Sequence, residues 1–285
     1  SVDGGADVTG DRVPDFIVGA PDHTTSDNSG RAHVISGDFC LRARTRATEG
    51  GAADRCDDTE IEFDCGVVDT NLAGSGYRIQ AAGSSDRSHM AEFGTSVAIV
   101  DSGPNVWPGV EQLPGDLNGD DVGEVLVGDP EADITGDDSG AAWLVNGVDI
   151  SRMPGSVPSI GVTTDSRPTP SGLMIRGESE DDRLGERVAP GGWIDDDGQL
   201  DVLVSAPRDD NTDRAYVVYG PTQRQAQTGT SSVDLQAPKG SDRSFAIDLP
   251  TTDGGAPAIA ALDSNFDVVQ DLAVGSTIEA GQWFL

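Results

Sequence analysis

Residues 116–130 read DLNGDDVGEVLVGDP. The first nine form an acidic turn, in which Asp116, Asn118, Asp120 and Glu124 put oxygen-bearing side chains at positions one, three, five and nine, and Val122 holds position seven. An aliphatic run, Val125-Leu126-Val127, follows at once and is closed by Gly128 and Pro130. A polar turn running straight into a short β-branched segment predicts a strand on the far side of a hairpin. Three further segments repeat the pattern. Asp7, Thr9, Asp11, Val13 and Asp15 precede FIVGAP (16–21). Asp195, Asp197, Gln199 and Asp201 precede VLVSAP (202–207), with Trp193 at position one. Asp263, Asn265, Asp267, Val269 and Asp271 precede LAVGST (272–277).

Each loop and strand is followed by a second strand: GRAHVISG (30–37), GAAWLVNG (140–147), DRAYVVYG (213–220) and AGQWFL (280–285). A strand that starts with Phe-Gly or Leu-Gly precedes two of the loops, at Phe93-Gly94 and Leu184-Gly185, and Ser244-Phe245 offers a weaker third. Outer strands fit YRIQA (77–81), GLMIRG (172–177) and SVDLQA (232–237). Self-similarity at this scale marks a repeat architecture, and four short strands per repeat match one blade of a β-propeller. The expected fold is all-β, with about four four-stranded blades at 1–81, 82–177, 178–237 and 238–285. No apolar spacing of three and four persists long enough to predict a helix. Insertions near 39–75, 102–114, 149–171 and 249–258 are rich in Gly, Pro, Ser and Asp, and read as surface loops. Ser1 begins in mid-pattern and Leu285 falls where an outer strand has yet to come, so a piece of a larger propeller is expected.

Hard oxygen donors at alternate residues of a tight turn suit Ca²⁺, which takes six to eight of them, with a backbone carbonyl at position seven. Two carboxylates about 4 Å apart repel by ~4 kcal/mol at an effective dielectric near 20, and a divalent cation reverses that sign. An EF-hand needs Glu at position twelve and flanking helices; here that position is Val18, Val127, Val204 or Val274, each inside a strand. Mg²⁺ demands a stricter octahedron and keeps its waters. The loop from Trp193 lacks its first ligand, so Asp195, Asp197, Gln199 and Asp201 make a weaker site.

These motifs closely resemble the FG-GAP repeat family of integrin α-subunit head propellers. Phe93-Gly94 and Gly19-Ala20-Pro21 match the name directly, with Gly128-Asp129-Pro130, Ser205-Ala206-Pro207 and Gly275-Ser276 as variants. The resemblance implies a propeller, usually of seven blades, with calcium in the loops between the first two strands of each blade. It also implies a protein or glycan partner on the opposite face, and hence an extracellular or cell-surface adhesion module.

The chain carries 50 acidic against 18 basic residues, a net charge of −32. That opposes nucleic-acid binding, which needs clustered Lys and Arg, and opposes docking on anionic membranes. Lys239 is the only lysine, an arginine bias that resembles proteins of extreme halophiles, where an acidic surface maintains solubility. No apolar run approaches the ~18 residues of a membrane helix. Cys40, Cys56 and Cys65 share one insertion and fit no zinc spacing, so a disulfide between two of them is expected in an oxidising setting. An enzyme is the second reading: FG-GAP proteins include some that resemble phospholipases or polysaccharide lyases. A structural surface component is the third. Gly94-Thr95-Ser96 comes near a nucleophile elbow, but Ser96 falls within a predicted strand, where that motif does not work. His23, His33 and His89 have no partner in a catalytic motif.

Overall fold

The computed structural model describes residues 1–21, 30–38, 75–82, 90, 92–100, 115–152, 159–163, 172–195, 197, 199–207, 212–220, 232–235, 244–250, 255–265, 267 and 269–275. Within them the chain is all-β apart from one short 3-10 turn, Ile150–Arg152. The first sheet contains β1 (Val2–Gly4), β2 (Phe16–Ala20), β3 (Arg31–Ile35) and β4 (Gly76–Ala81), all antiparallel. The second contains β5 (Ser96–Ile99), β6 (Val125–Asp129), β7 (Ala141–Val145) and, further on in sequence, β9 (Gly172–Arg176). Between those last two comes β8 (Ser159–Val162), which leaves its own unit and pairs in parallel with β4. The third sheet is β10 (Arg187–Gly192), β11 (Asp201–Ala206), β12 (Thr212–Val218) and β14 (Ser244–Pro250). Its β13 (Ser232–Asp234) likewise goes back, parallel to β9. A two-stranded sheet of β15 (Ala258–Leu262) and β16 (Asp271–Gly275) follows.

The first strands of successive sheets are neighbours: β5 packs on β1 and β2, β10 on β5 and β6, and β15 on β10 and β11. The second sheet is therefore covered on both faces, which explains why its strands are continuous aliphatic runs. Val125, Val127, Trp143 and Val145 pack toward Ile17, Val34 and Ile79 of the first sheet. Leu126, Leu144 and Ile175 alternate to the other face and meet Val202, Val204 and Tyr216 of the third. Phe93 closes the first core, edge-on to Trp143 at 5.3 Å between ring centroids.

The paired glycines have a steric cause. A Cβ on Gly19 would lie 1.9 Å from the carbonyl oxygen of Gly94, and one on Gly128 would lie 2.1 Å from that of Gly185. Gly94 and Gly185 themselves have φ of +96° and +97°, a conformation that side chains disfavour. The Phe-Gly or Leu-Gly turn of one sheet thus seats directly on the strand end of the sheet before it.

Four expectations are corrected. Val2–Gly4 fills the first-strand position of the first sheet, which the sequence reading had left vacant. The outer strand of the third sheet is Ser244–Pro250, not 232–237, and Ser244-Phe245 does not open a fourth unit. The third unit therefore extends to 250, and the first strand of the fourth begins at Ala258. The insertion at 149–171 is not all surface loop, since Ile160 and Val162 are buried in the first core. AGQWFL, the three cysteines, His23, His89 and most of the insertion 39–75 lie outside the described residues.

Candidate metal centres

The first acidic loop joins β1 to β2 and the second joins β5 to β6. Both close on the carboxylate at position one. Asp7 Oδ1 accepts from the N–H groups of Thr9, Gly10 and Asp11 at 3.1, 2.7 and 3.2 Å, and Oδ2 accepts from Arg12 at 2.6 Å. Asp116 repeats this, with Oδ1 accepting from Gly119 and Asp120 at 2.6 and 3.2 Å and Oδ2 accepting from Asp121 at 2.9 Å. The left-handed residues also coincide: Gly10 and Arg12 in one loop (φ 74° and 67°), Gly119 and Asp121 in the other (80° and 70°). At position five, Asp11 and Asp120 each accept from the N–H of position seven, Val13 at 2.8 Å and Val122 at 3.0 Å.

Position nine lies beneath the loop. Asp15 is 1% exposed, and its carboxylate accepts from Val8 N–H at 2.7 Å and Gly37 N–H at 2.9 Å. Glu124 is fully buried, and accepts from Leu117 N–H at 2.6 Å and from the Asn118 side-chain amide at 2.8 Å. The ligand-type oxygens of Asp7, Asp11 and Asp15 fall within 4.8 Å of one another, as do those of Asp116, Asp120 and Glu124. Each triad can hold a metal ion. Burial raises the Asp15 carboxyl to about 7, and also raises those of Asp120 and Glu124. Such groups ionise readily only when a positive charge replaces the lost water.

One further oxygen supports the fit. Thr9 is fully buried at position three, and its Oγ1 makes no well-formed hydrogen bond, its polar neighbour being the Asp15 carboxylate, whose pKa it lowers. A buried hydroxyl of this kind is costly unless something engages it, and a cation among Asp7, Asp11 and Asp15 would do so. Tyr77 of β4 is within reach of the charges of both loops. Its hydroxyl is also buried and without a partner. Burial, together with the negative charges of Asp15, Glu124, Asp120 and Asp7, keeps its phenol protonated well above the ordinary range.

The other two loops share the clasp at position nine but not the triad. Asp201 accepts from Ile194 N–H at 2.8 Å and from Gly220 N–H at 2.9 Å. Asp271 accepts from Ser264 N–H at 3.0 Å. Asp195 and Asp197 are exposed and accept from nearby N–H groups, those of Asp197 and Gln199. In the last loop Asp263, Asn265 and Asp267 are bonded to one another's backbone or side chains, with Val269 N–H on Asp267 at 3.0 Å. Among the described residues neither loop draws three carboxylates together as the first two do. Position nine therefore has a role that spacing alone did not show: it ties the loop to its own second residue in all four units, whether or not a triad forms.

Main-chain bonds also join loops of different sheets. Gly123 N–H, at position eight of the second loop, donates to the Asp7 carbonyl at 2.8 Å. Gln270 N–H, at position eight of the fourth, donates to the Trp193 carbonyl at 3.2 Å. Trp193, where a ligand would stand, instead packs against the second core.

Ser96 is buried in β5 and its hydroxyl donates to the Gly185 carbonyl at 2.7 Å. It is occupied as a structural bond between sheets. His33 is buried within β3. No family model and no curated protein matches the chain.

Proposed function

We propose that this chain is a calcium-stabilised β-propeller module of the FG-GAP type that binds a protein or glycan partner outside the cell. The observation that carries the reading is the duplicated triad, Asp7-Asp11-Asp15 and Asp116-Asp120-Glu124, built by the same hydrogen bonds in two successive units. All-oxygen donor sets on flexible turns favour Ca²⁺ over Mg²⁺ or the softer transition metals. In the first loop the ligands are Asp7, Asp11, Asp15 and the Thr9 hydroxyl; in the second they are Asp116, Asp120, Glu124 and Asn118. The ion offsets repulsion among carboxylates and fixes the hairpin that starts each sheet. Propeller closure is supported by the order in which the sheets pack, first strand beside first strand. The partner face is then the end opposite the acidic loops, and the strongly acidic chain selects against nucleic acid.

Thermal melting at fixed ionic strength tests the reading. Saturating Ca²⁺ raises the melting temperature and a chelator lowers it, because an ion bound only by the folded state contributes ~2.7 kcal/mol at 100 times its Kd. Identical melts with Ca²⁺ and with chelator would remove the metal role.

A further inference from the structure

The first acidic loop is held from outside as well as from within. Three consecutive carbonyls of it accept from the main chain of the second unit: Asp7 from Gly123 N–H at 2.8 Å, Val8 from Val148 N–H at 3.2 Å and Thr9 from Ile150 N–H at 3.0 Å. The last two donors belong to the stretch that follows β7 and ends in the 3-10 turn Ile150–Arg152. Asp149 caps that turn, its carboxylate accepting from Ser151 N–H at 3.0 Å and from the Ser151 hydroxyl. Ile150 is 5% exposed and joins the same core as Ala6 and Val8. The stretch passes directly over the fourth residue of the loop: a Cβ on Gly10 would lie 3.0 Å from Asp149 Cα.

The second loop differs in exposure at the matching positions. Gly10 and Asp11 are half-buried, whereas Gly119 and Asp120 are exposed. The triads are built alike, yet the routes by which an ion leaves them are not. Release needs water at the ligands, and at a covered site that needs a local opening, whose cost grows with the buried contacts and hydrogen bonds to be broken. For the first loop these are the bonds of Val148 and Ile150 and the seat of Ile150 in the core. In the second, Asp120 already faces water.

We infer that residues 148–152 are a strap over the first metal loop, with Asp149 and Ile150 as positioning residues that act through the loop rather than as ligands. The strap makes the first site slow to release its ion beside a second site that releases quickly. This inference rests on the calcium reading above.

Stopped-flow mixing of the calcium-loaded full chain with a fluorescent chelator tests it. Two phases are expected, separated by about tenfold or more, the cost of opening setting the ratio. Asp120→Ala removes the fast phase and Asp11→Ala the slow one, which assigns each to its loop. Ile150→Ala, which shortens the buried anchor, moves the slow phase toward the fast. Asp149→Ala, which touches only the exposed cap, does so in part, while Asp149→Asn keeps slow release because Asn caps as well as Asp. Hydrogen exchange read by mass spectrometry on 147–152 gives a second signal: calcium slows these amides in the parent chain and not in Asp11→Ala. Equal release from the two loops, Ala variants that release as slowly as the parent, an Asn variant as fast as the Ala variant, or exchange at 147–152 indifferent to calcium would each overturn the strap and leave the metal sites standing. No calcium uptake by either loop would overturn both readings.

Discussion

Calcium binding by the first loop should depend on pH through Asp15. In the ion-free fold the buried carboxyl titrates at about 7 against 3.8 when unburied. For a group whose pKa is raised by folding, the stability it contributes is complete below the unfolded value and is lost as pH rises through the folded one. Without metal the site therefore grows less stable from pH 4 to 7. With metal the sign reverses, because Ca²⁺ needs the ionised form and must displace the proton. A pKa of about 7 leaves about nine-tenths of the carboxyls protonated at pH 6, about half at pH 7 and about a tenth at pH 8. The apparent affinity of this loop thus rises on the order of tenfold between pH 6 and pH 8, and binding releases about 0.9 proton at pH 6. Titration calorimetry in two buffers of different ionisation heat measures both quantities at constant ionic strength. The Asp120→Ala variant, which weakens the second loop, isolates the first. Equal affinity at pH 6 and pH 8, with no proton released at either, would refute the placement of Asp15 in the coordination sphere.

Asp120→Ala should itself remove one tight calcium from the stoichiometry and leave the first loop intact, since each triad is built within its own turn; an unchanged stoichiometry and affinity would remove Asp120 from the ligand set. Trp143→Ala should cost about 3–5 kcal/mol, because the ring is fully buried between the first two sheets and edge-on to Phe93; urea denaturation with calcium saturating checks it, and a loss under 1 kcal/mol would mean that the interface between these sheets is not a packed core.

The two triads were legible because their carboxylates are local. Oxygen donors at alternate residues of a nine-residue turn lie close together whatever the rest of the chain does, so spacing sufficed for Asp7 to Asp15 and for Asp116 to Glu124. The FG and GAP motifs were legible as a pattern, but their cause was not. It is the approach of Gly94 to Gly19 across two sheets, a contact between residues far apart in sequence. The returning strand β8 goes unpredicted, and β13 is predicted at 232–237 but as the outer strand of its own unit, for a similar reason. They are only four and three residues long, they sit in segments rich in Pro, Ser and Thr, and their partners belong to another unit. The outer strand of the third sheet was misread through Phe245, whose Ser-Phe start mimics a Phe-Gly strand. Its true equivalents are Tyr77 and Leu173, which share its position relative to the third strand. Loops three and four show the converse limit: Asp195, Asp197 and Asp201, like Asp263, Asp267 and Asp271, keep the spacing, yet among the described residues neither set converges as the first two triads do.

The bond from Gly123 N–H to the Asp7 carbonyl gives the acidic loops a property that none has alone. Asp7 grips its own turn through its side chain while its main chain is held by the adjoining sheet. Loading either turn with an ion must then steady the seam between them. The two triads thus flank a single seam, and filling either one braces the junction of the first and second sheets without any change in the ligands of the other.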